Sequence, residues 1–210
     1  MRFFRQLLDE ASSLFFLGVG VSGMRKIERE LDPAGIPSDG RWRVSGLRAE
    51  VSEHRGERAV LLECADRDGL AWLEDLQFAE GEIRIDWASG AGSLGIALDV
   101  RDRERFDLIR FSSQRSGSWT VEFVSALSGA SERQVVAELN GVDLDWVRLK
   151  IVIQKDRIAV IINDHNIPCL RVSDYRPEPP GGSIGLWLGQ GSTCYFTNLK
   201  CVEIRKQIRI

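Results

Sequence analysis

The stretch from residue 146 to residue 204 constrains the fold more tightly than any other part of this chain. Apolar and polar residues alternate along it, and a period of two residues indicates strands with one buried face. Two alternating runs flank the short polar break Lys155–Asp156, which is the pattern of a β-hairpin. The apolar positions are Val147, Leu149, Ile151 and Ile153 in the first run and Ile158, Val160 and Ile162 in the second.

Further strands are predicted on both sides of this hairpin. An Asn-Asp-His-Asn cluster at 163–166 predicts a turn, and the proline and glycine residues between 177 and 182 interrupt regular structure. Other strands are predicted at residues 41–51, 59–64, 70–73, 78–88, 94–100, 106–111, 119–124, 134–139, 167–172, 182–190 and 193–204. We therefore predict an all-β domain with at least ten antiparallel strands in two sheets.

The first 40 residues do not follow the strand pattern. They are predicted to form a helical extension and a loop, followed by the sandwich at 41–205 and a tail at 206–210. Residues 2–16 fit an amphipathic helix, and the charged segment 24–31 is also compatible with a helix. The apolar arc of the first helix consists of Phe4, Leu7, Leu8, Ala11, Leu14 and Phe15. If residues 1–23 are instead a signal peptide, the protein is exported; otherwise a cytoplasmic location is expected.

The apolar arc of this N-terminal helix predicts a protein partner. An undocked arc would expose a contiguous apolar patch, so it should be covered. A helix that lies on a membrane surface usually has a basic polar face, whereas Arg2 and Arg5 are offset here by Asp9 and Glu10. We expect docking within the chain or across a homodimer. No run reaches the roughly 18 apolar residues that a membrane span requires.

Composition excludes several other classes of function. The net charge is −3, from 28 basic and 31 acidic residues, whereas nucleic-acid binding requires a basic surface. The chain has two histidines, and its four cysteines lack the CxxC spacing of zinc sites. We therefore expect no nucleic-acid partner, no metal, no cofactor and no disulfide.

Several segments resemble the concanavalin A-like lectin/glucanase superfamily. They are Trp-x-x-Leu-Lys-Ile-Val from residue 146, Arg-Ile-Ala-Val-x-Ile-Asn from 157, Gly-x-Ile-Gly-Leu-Trp from 182, Tyr-Phe-Thr-Asn-Leu-Lys from 195, and the strands at 78–86 and 92–98. The resemblance covers about residues 42–204 and implies a two-sheet antiparallel jelly-roll sandwich. It further implies a non-catalytic binding module, most plausibly for carbohydrate. A glycan-acting hydrolase and a structural or protein-interaction domain are the alternatives.

The hydrolase alternative depends on carboxylates. Glu82 and Asp86 share one strand face with Arg84 between them, and paired carboxyl groups are what acetal cleavage uses. The Glu-x-Asp-x-x-Glu motif of the superfamily's glucanases is absent. The chain also resembles the 3-keto-disaccharide hydrolase group. In the matching stretch, residues 105–110, Asp107 replaces a glutamate of that group and Ile109 replaces a glutamine. The candidate catalytic residues are therefore Glu82, Asp86 and Asp107. The balance of these observations favours a protein without catalytic activity, and a hydrolase that acts on glycosidic bonds is the alternative.

A ligand-binding face is predicted around Trp187. Its indole alternates with Ile184, Leu186 and Leu188 and lies on the strand face of Gly185 and Gly189. Bare backbone beside an indole would leave a flat apolar platform, on which the C–H face of a sugar could stack. The predicted ligand-binding residues are Trp187, Arg84, Glu82 and Asp86.

Overall fold

The structure of the protein is a computed structural model. It describes residues 24–36, 38–114, 118–125, 134–139, 145–177 and 181–206. Fifteen strands and one short 3-10 helix (Pro33–Gly35) make up this part of the chain. The strands are β1 (Met24–Glu30), β2 (Trp42–Ser45), β3 (Arg48–His54), β4 (Glu57–Glu63), β5 (Gly69–Leu73), β6 (Gly81–Ala91), β7 (Ser93–Val100), β8 (Asp107–Ser113), β9 (Trp119–Ser125), β10 (Gln134–Leu139), β11 (Val147–Gln154), β12 (Arg157–Ile162), β13 (Leu170–Ser173), β14 (Ser183–Leu188) and β15 (Thr193–Lys206).

The strands form two sheets, and every pair of neighbouring strands is antiparallel. The eight-stranded sheet has the order β13-β12-β11-β6-β15-β4-β3, with β1 added beside β15. The seven-stranded sheet has the order β10-β9-β8-β7-β14-β5-β2. The prediction of a two-sheet antiparallel jelly-roll sandwich with at least ten strands is confirmed.

The hairpin β11–β12 shows why the alternating pattern folds in this way. Its two-residue turn places Lys155 at φ 54°, and the strands pair from Gln154↔Arg157 to Leu149↔Ile162. Every second side chain is buried between the sheets, because successive side chains of a strand point to opposite faces. The opposite side chains form the outer face of the eight-stranded sheet.

A cluster of three aromatic side chains lies between the sheets. Trp87 on β6 contacts Phe111 on β8, with ring centroids 5.7 Å apart, and Trp119 on β9, at 5.4 Å. Trp87 is only 1% exposed. This cluster joins the two sheets, since β6 belongs to the eight-stranded sheet and the other two strands to the seven-stranded sheet.

The region before residue 41 differs from its prediction. Residues 24–30 form β1, so the helix considered for 24–31 is wrong. This charged strand forms because the long strand β15 offers it a free edge, and Lys200 Nζ donates to Glu30 Oε1 at 2.6 Å. The sheet therefore extends into the segment that the sequence assigned to the N-terminal extension. The predicted helix at 2–16 lies outside the described residues, and no described helix is long and apolar enough to cross a membrane.

The four cysteines are free thiols. Cys64, Cys194 and Cys201 are buried, and Cys169 is half-buried. Burial raises the pKa of the Cys169 thiol to about 11 and that of the Cys201 thiol to about 11. These two thiols are therefore protonated at neutral pH and behave as small apolar side chains.

Candidate functional site

The predicted trio Glu82, Arg84 and Asp86 lies on the outer face of the eight-stranded sheet, because Ile83, Ile85 and Trp87 fill the core between them. The Glu82 side chain is 4% exposed and accepts a hydrogen bond from Arg84 Nε. Asp86 Oδ2 accepts from Asn198 Nδ2 at 2.9 Å, and Arg148 Nε lies 3.6 Å from its other oxygen. Each carboxylate of the trio is thus paired with an arginine.

Trp187 lies on the other side of the sandwich. It belongs to β14 of the seven-stranded sheet. The neighbouring residues Leu186 and Leu188 pack in the core, so the side chain of Trp187 points to the outer face. The indole is only 6% exposed and belongs to a second apolar cluster with Leu70 and Leu108. The predicted open platform at Trp187 is therefore wrong, because packing on this face encloses the indole instead of leaving it bare.

The predicted site residues do not form one site. The Glu82–Asp86 trio and Trp187 occupy opposite outer faces of the sandwich. Asp107, the third catalytic candidate, lies at the start of β8 and is 3% exposed. The three candidate carboxyl groups thus do not flank a shared cleft, which a hydrolytic pair must do.

The outer face of the seven-stranded sheet has three cross-strand rows with different chemistry. The first is a hydroxyl row formed by Ser93, Ser112 and Thr120, in which Ser93 Oγ donates to Ser112 Oγ at 3.0 Å. The middle row is mixed and runs through Leu70, Trp187, Gly95, Arg110 and Glu122. The third is mainly apolar and runs through Arg43, Trp72, Gly185, Ala97, Leu108 and Val124. A face with this composition suits an amphipathic ligand.

Arg110 and Glu122 form the ion pair of the middle row. Antiparallel pairing of β8 with β9 places them directly opposite each other. Arg110 Nε and Nη2 both bond Glu122 Oε1. The Glu122 side chain is 2% exposed, whereas that of Arg110 is 29% exposed. The buried carboxylate thus holds a partly exposed guanidinium in one orientation, and the guanidinium has further N–H groups that can donate to a ligand.

Trp72 is a half-buried aromatic side chain on this face. It lies on β5 opposite Gly185, and it packs against the cluster of Leu70, Leu108 and Trp187 together with Phe106 and Val124. Burial of one side of the indole holds it in place, while the exposed part remains available. Three strand spacings, about 14 Å, separate the β5 and β8 strands that carry Trp72 and Arg110. A ligand that contacts both must be extended.

A separate aromatic cluster lies on the eight-stranded side. His54 stacks on Tyr195, with ring centroids 4.1 Å apart, and meets Trp146 edge-on at 5.5 Å. An Arg55–Asp145 ion pair lies beside it at the tip of the β3–β4 hairpin. These rings pack against one another and each is half-buried, so the cluster fastens the hairpin to the sheet.

A surface pocket of about 580 Å³ lies beside the β4–β5 turn. Its walls come from residues 46, 48, 63–67, 191 and 193, and they contain no aromatic side chain. The pocket therefore lacks the surface on which a sugar ring could stack. Among the described residues no group of three or more metal-ligating side chains is present.

Asp107 belongs to a buried polar cluster at one end of the sandwich. Its carboxylate accepts from Ser125 Oγ at 2.7 Å and from the Tyr175 hydroxyl. Asp99 lies nearby and is bonded by Arg101, with Nη2 to Oδ2 at 2.8 Å. Burial raises the pKa of the Asp107 carboxyl, and the charge of Asp99 raises it further, although the hydroxyl donors act in the opposite direction.

The raised pKa of Asp107 predicts a pH-dependent stability. A folded-state pKa above the unfolded value stabilises the fold at low pH, and this contribution is lost as the pH rises through the folded pKa. Asparagine at position 107 has no ionisable group and keeps an oxygen that can accept hydrogen bonds. We therefore expect the urea midpoint of Asp107→Asn, relative to that of the parent protein, to increase from pH 4 to pH 8. Asp102→Asn is the control of opposite sign, because backbone N–H groups and Arg105 lower the pKa of the Asp102 carboxyl. A loss of relative stability in Asp107→Asn toward pH 8 would contradict the prediction.

Trp72, Arg110 and Glu122 are not among the site residues predicted from the sequence. A signal was present for the ion pair, since Arg110 and Glu122 occupy two consecutive strands that form a hairpin. The strand register that makes them direct neighbours depends on the turn between β8 and β9. The sequence pattern did not define that turn. Trp72 lies in a short, weakly patterned strand, so its exposure could not be predicted.

Comparison with solved structures identifies the fold. The carbohydrate-binding module CBM66 from Bacillus subtilis is 17% identical and superposes with a TM-score of 0.56, covering 77% of this chain and 95% of that one. The exoplasmic/lumenal domain of VIP36, in its Ca2+/Man2-bound form, is 13% identical with a TM-score of 0.58, covering 86% and 87%. A prokaryotic β-1,3-1,4-glucanase (lichenase) from a mouse hindgut metagenome is 10% identical with a TM-score of 0.58, covering 85% and 98%.

These matches define the fold. The chain shares a two-sheet antiparallel jelly-roll fold with these structures, as its strand sequences had indicated. Its structural neighbours include carbohydrate-binding modules, lectins and glycoside hydrolases. No family model matches the chain, and no curated protein matches it.

Proposed function

We propose that the outer face of the seven-stranded sheet binds an extended carbohydrate without cleaving it. The observation that supports this most directly is that Trp72 and Arg110 lie partly exposed on one face, in adjacent rows. An indole offers a flat apolar surface for the C–H face of a sugar ring, and the guanidinium offers donors for its hydroxyl groups. The hydroxyl row of Ser93, Ser112 and Thr120 adds further polar contacts.

The carboxylates of this face support binding over hydrolysis. Glycoside cleavage uses one carboxyl group as an acid and another as a base or nucleophile. Among the described side chains of this face, Glu122 is engaged by Arg110 and Glu74 is bonded to Arg43 at 2.7 Å. Each of these carboxylates is therefore engaged by a guanidinium of the same face.

Trp72→Ala tests the proposal. We expect the substitution to weaken binding of oligosaccharides by about 1–3 kcal/mol, which is the usual cost of removing an aromatic anchor. Arg110→Ala should weaken binding on the same array. The measurement is a glycan array followed by calorimetry on the strongest oligosaccharide.

The controls lie on the opposite sheet. Trp146→Ala removes a half-buried tryptophan and Arg148→Ala removes an exposed arginine from the eight-stranded side. Neither should change affinity. Loss of binding in these two variants, with Trp72→Ala unaffected, would place the sugar on the other sheet. Absence of any binding on the array would favour the structural or interaction role, and turnover of chromogenic glycosides would favour the hydrolase.

A further inference from the structure

The described arginines of the proposed binding face are held in ion pairs. The strands of this face carry two described arginines, Arg43 and Arg110, and each is bonded to a glutamate of the same face. The Arg110–Glu122 pair on β8 and β9 is the desolvated one, because the Glu122 side chain is 2% exposed, whereas that of Glu74 is 46% exposed. An ion pair attracts an anion far less than an isolated cation does, since the carboxylate repels what the guanidinium attracts.

We propose that Glu122 is a specificity-determining residue that restricts the face to neutral carbohydrate. This inference rests on the proposed function and names the class of sugar. Glu122 acts on the ligand through Arg110 in two ways: it orients the guanidinium, and it neutralises its charge. The guanidinium then serves as a fixed set of hydrogen-bond donors for hydroxyl and ring oxygens, whereas a uronic acid would bring a carboxylate toward a carboxylate.

The geometry supports the positioning role. Both Arg110 Nε and Arg110 Nη2 converge on one oxygen of Glu122, so the guanidinium plane is held from one edge. The remaining N–H groups lie on the other edges of the same plane. Because an arginine side chain contains no acceptor, these groups can donate to oxygens of a ligand. Direct cross-strand pairing of the two residues means that neither side chain needs a long reach to make this contact.

Paired ligands that differ only in charge test the proposal. The probes are oligosaccharides of mixed-linkage glucan, mannan and galactan, each as the neutral form and as the form with C6 hydroxymethyl groups oxidised to carboxylates. The wild-type protein is expected to bind at least one neutral form at least 10-fold more tightly than its oxidised counterpart. Glu122→Gln, which leaves Arg110 with its charge uncompensated, is expected to reduce that ratio at least 10-fold. The new affinity for the oxidised form should fall with added salt.

Two further variants separate this effect from folding and from net charge. Removing one member of a buried ion pair can destabilise a fold, so Glu122→Gln is compared with the double variant Arg110→Gln, Glu122→Gln. The double variant keeps the wild-type net charge and should not bind the oxidised form. Glu82→Gln is the matched control, because Glu82 is likewise a buried carboxylate beside an exposed arginine, on the opposite sheet. It should leave the ratio unchanged.

The outcomes distinguish the two proposals. If the wild-type protein binds an oxidised form as tightly as the neutral one and Trp72→Ala abolishes this binding, the sugar face stands and the role of Glu122 is overturned. An equal gain in Glu82→Gln would also overturn that role, because the effect would then reflect net charge alone. If the wild-type protein binds neither form of any pair, the proposed function itself fails.

Discussion

Replacing Trp87 with alanine is expected to lower the free energy of unfolding by about 3–5 kcal/mol. The side chain is 1% exposed and contacts Phe111 and Trp119 across the sandwich, so its removal leaves a cavity between the sheets. For a chain of this size each kcal/mol changes the melting temperature by about 2–4 °C, which predicts a decrease of at least about 6 °C. Thermal and urea unfolding followed by circular dichroism measure the effect.

Trp87→Phe is the matched control for this prediction. Phenylalanine keeps a ring in contact with Phe111 and removes an indole N–H that is buried without a hydrogen-bond partner among the described residues. Both effects favour the phenylalanine variant, so its stability should be much closer to wild type than that of the alanine variant. Equal losses in both variants would show that the contact between the rings does not join the sheets as described.

Gly81→Ala is expected to destabilise the fold by about 2–6 kcal/mol, from backbone strain together with overpacking. Gly81 has φ +146°, and a Cβ atom there would lie 2.0 Å from the carbonyl oxygen of Val202. That oxygen belongs to β15, which pairs with β6 at this point, so relief of the clash must break a pairing between central strands. The urea midpoint of the purified variant, or its failure to fold, provides the measurement.

Gly40→Ala is the control for the glycine substitution. It replaces a glycine outside the positive-φ region, and an added Cβ atom would meet nothing within 4 Å. Its stability should therefore remain within about 0.5 kcal/mol of wild type, as is usual for surface substitutions. If Gly81→Ala were as stable as Gly40→Ala, the tight pairing of β6 with β15 at this position would be wrong.

The strands were predictable because alternation is a local property. In β11 and β12 every buried position could be read from the sequence, and the break at Lys155–Asp156 marked the turn. Strand β1 was not predictable in the same way. Its Met-Arg-Lys-Ile-Glu-Arg-Glu sequence has no alternating apolar face, and it forms a strand through pairing with the distant β15.

The candidate site depended on the assignment of strands to sheets. The sequence showed that Glu82, Arg84 and Asp86 share a strand face, and that Trp187 lies on the face of its strand opposite Leu186. It did not show that these two faces lie on opposite sides of the molecule, because that follows from hydrogen bonding between strands far apart in the chain. The Arg110–Glu122 pair likewise requires the register of β8 against β9.

The sequence by itself determined the all-β class, the hairpin of the last third and the side chains that face the core, because each of these depends on a period of two residues within a single strand. Only the tertiary structure decided that Trp187 is enclosed while Trp72 remains half-exposed, and that a buried glutamate neutralises Arg110. Exposure and pairing on an outer face depend on which neighbouring strands lie alongside and on the side chains they bring. Those neighbours are set by long-range packing, which no local pattern encodes.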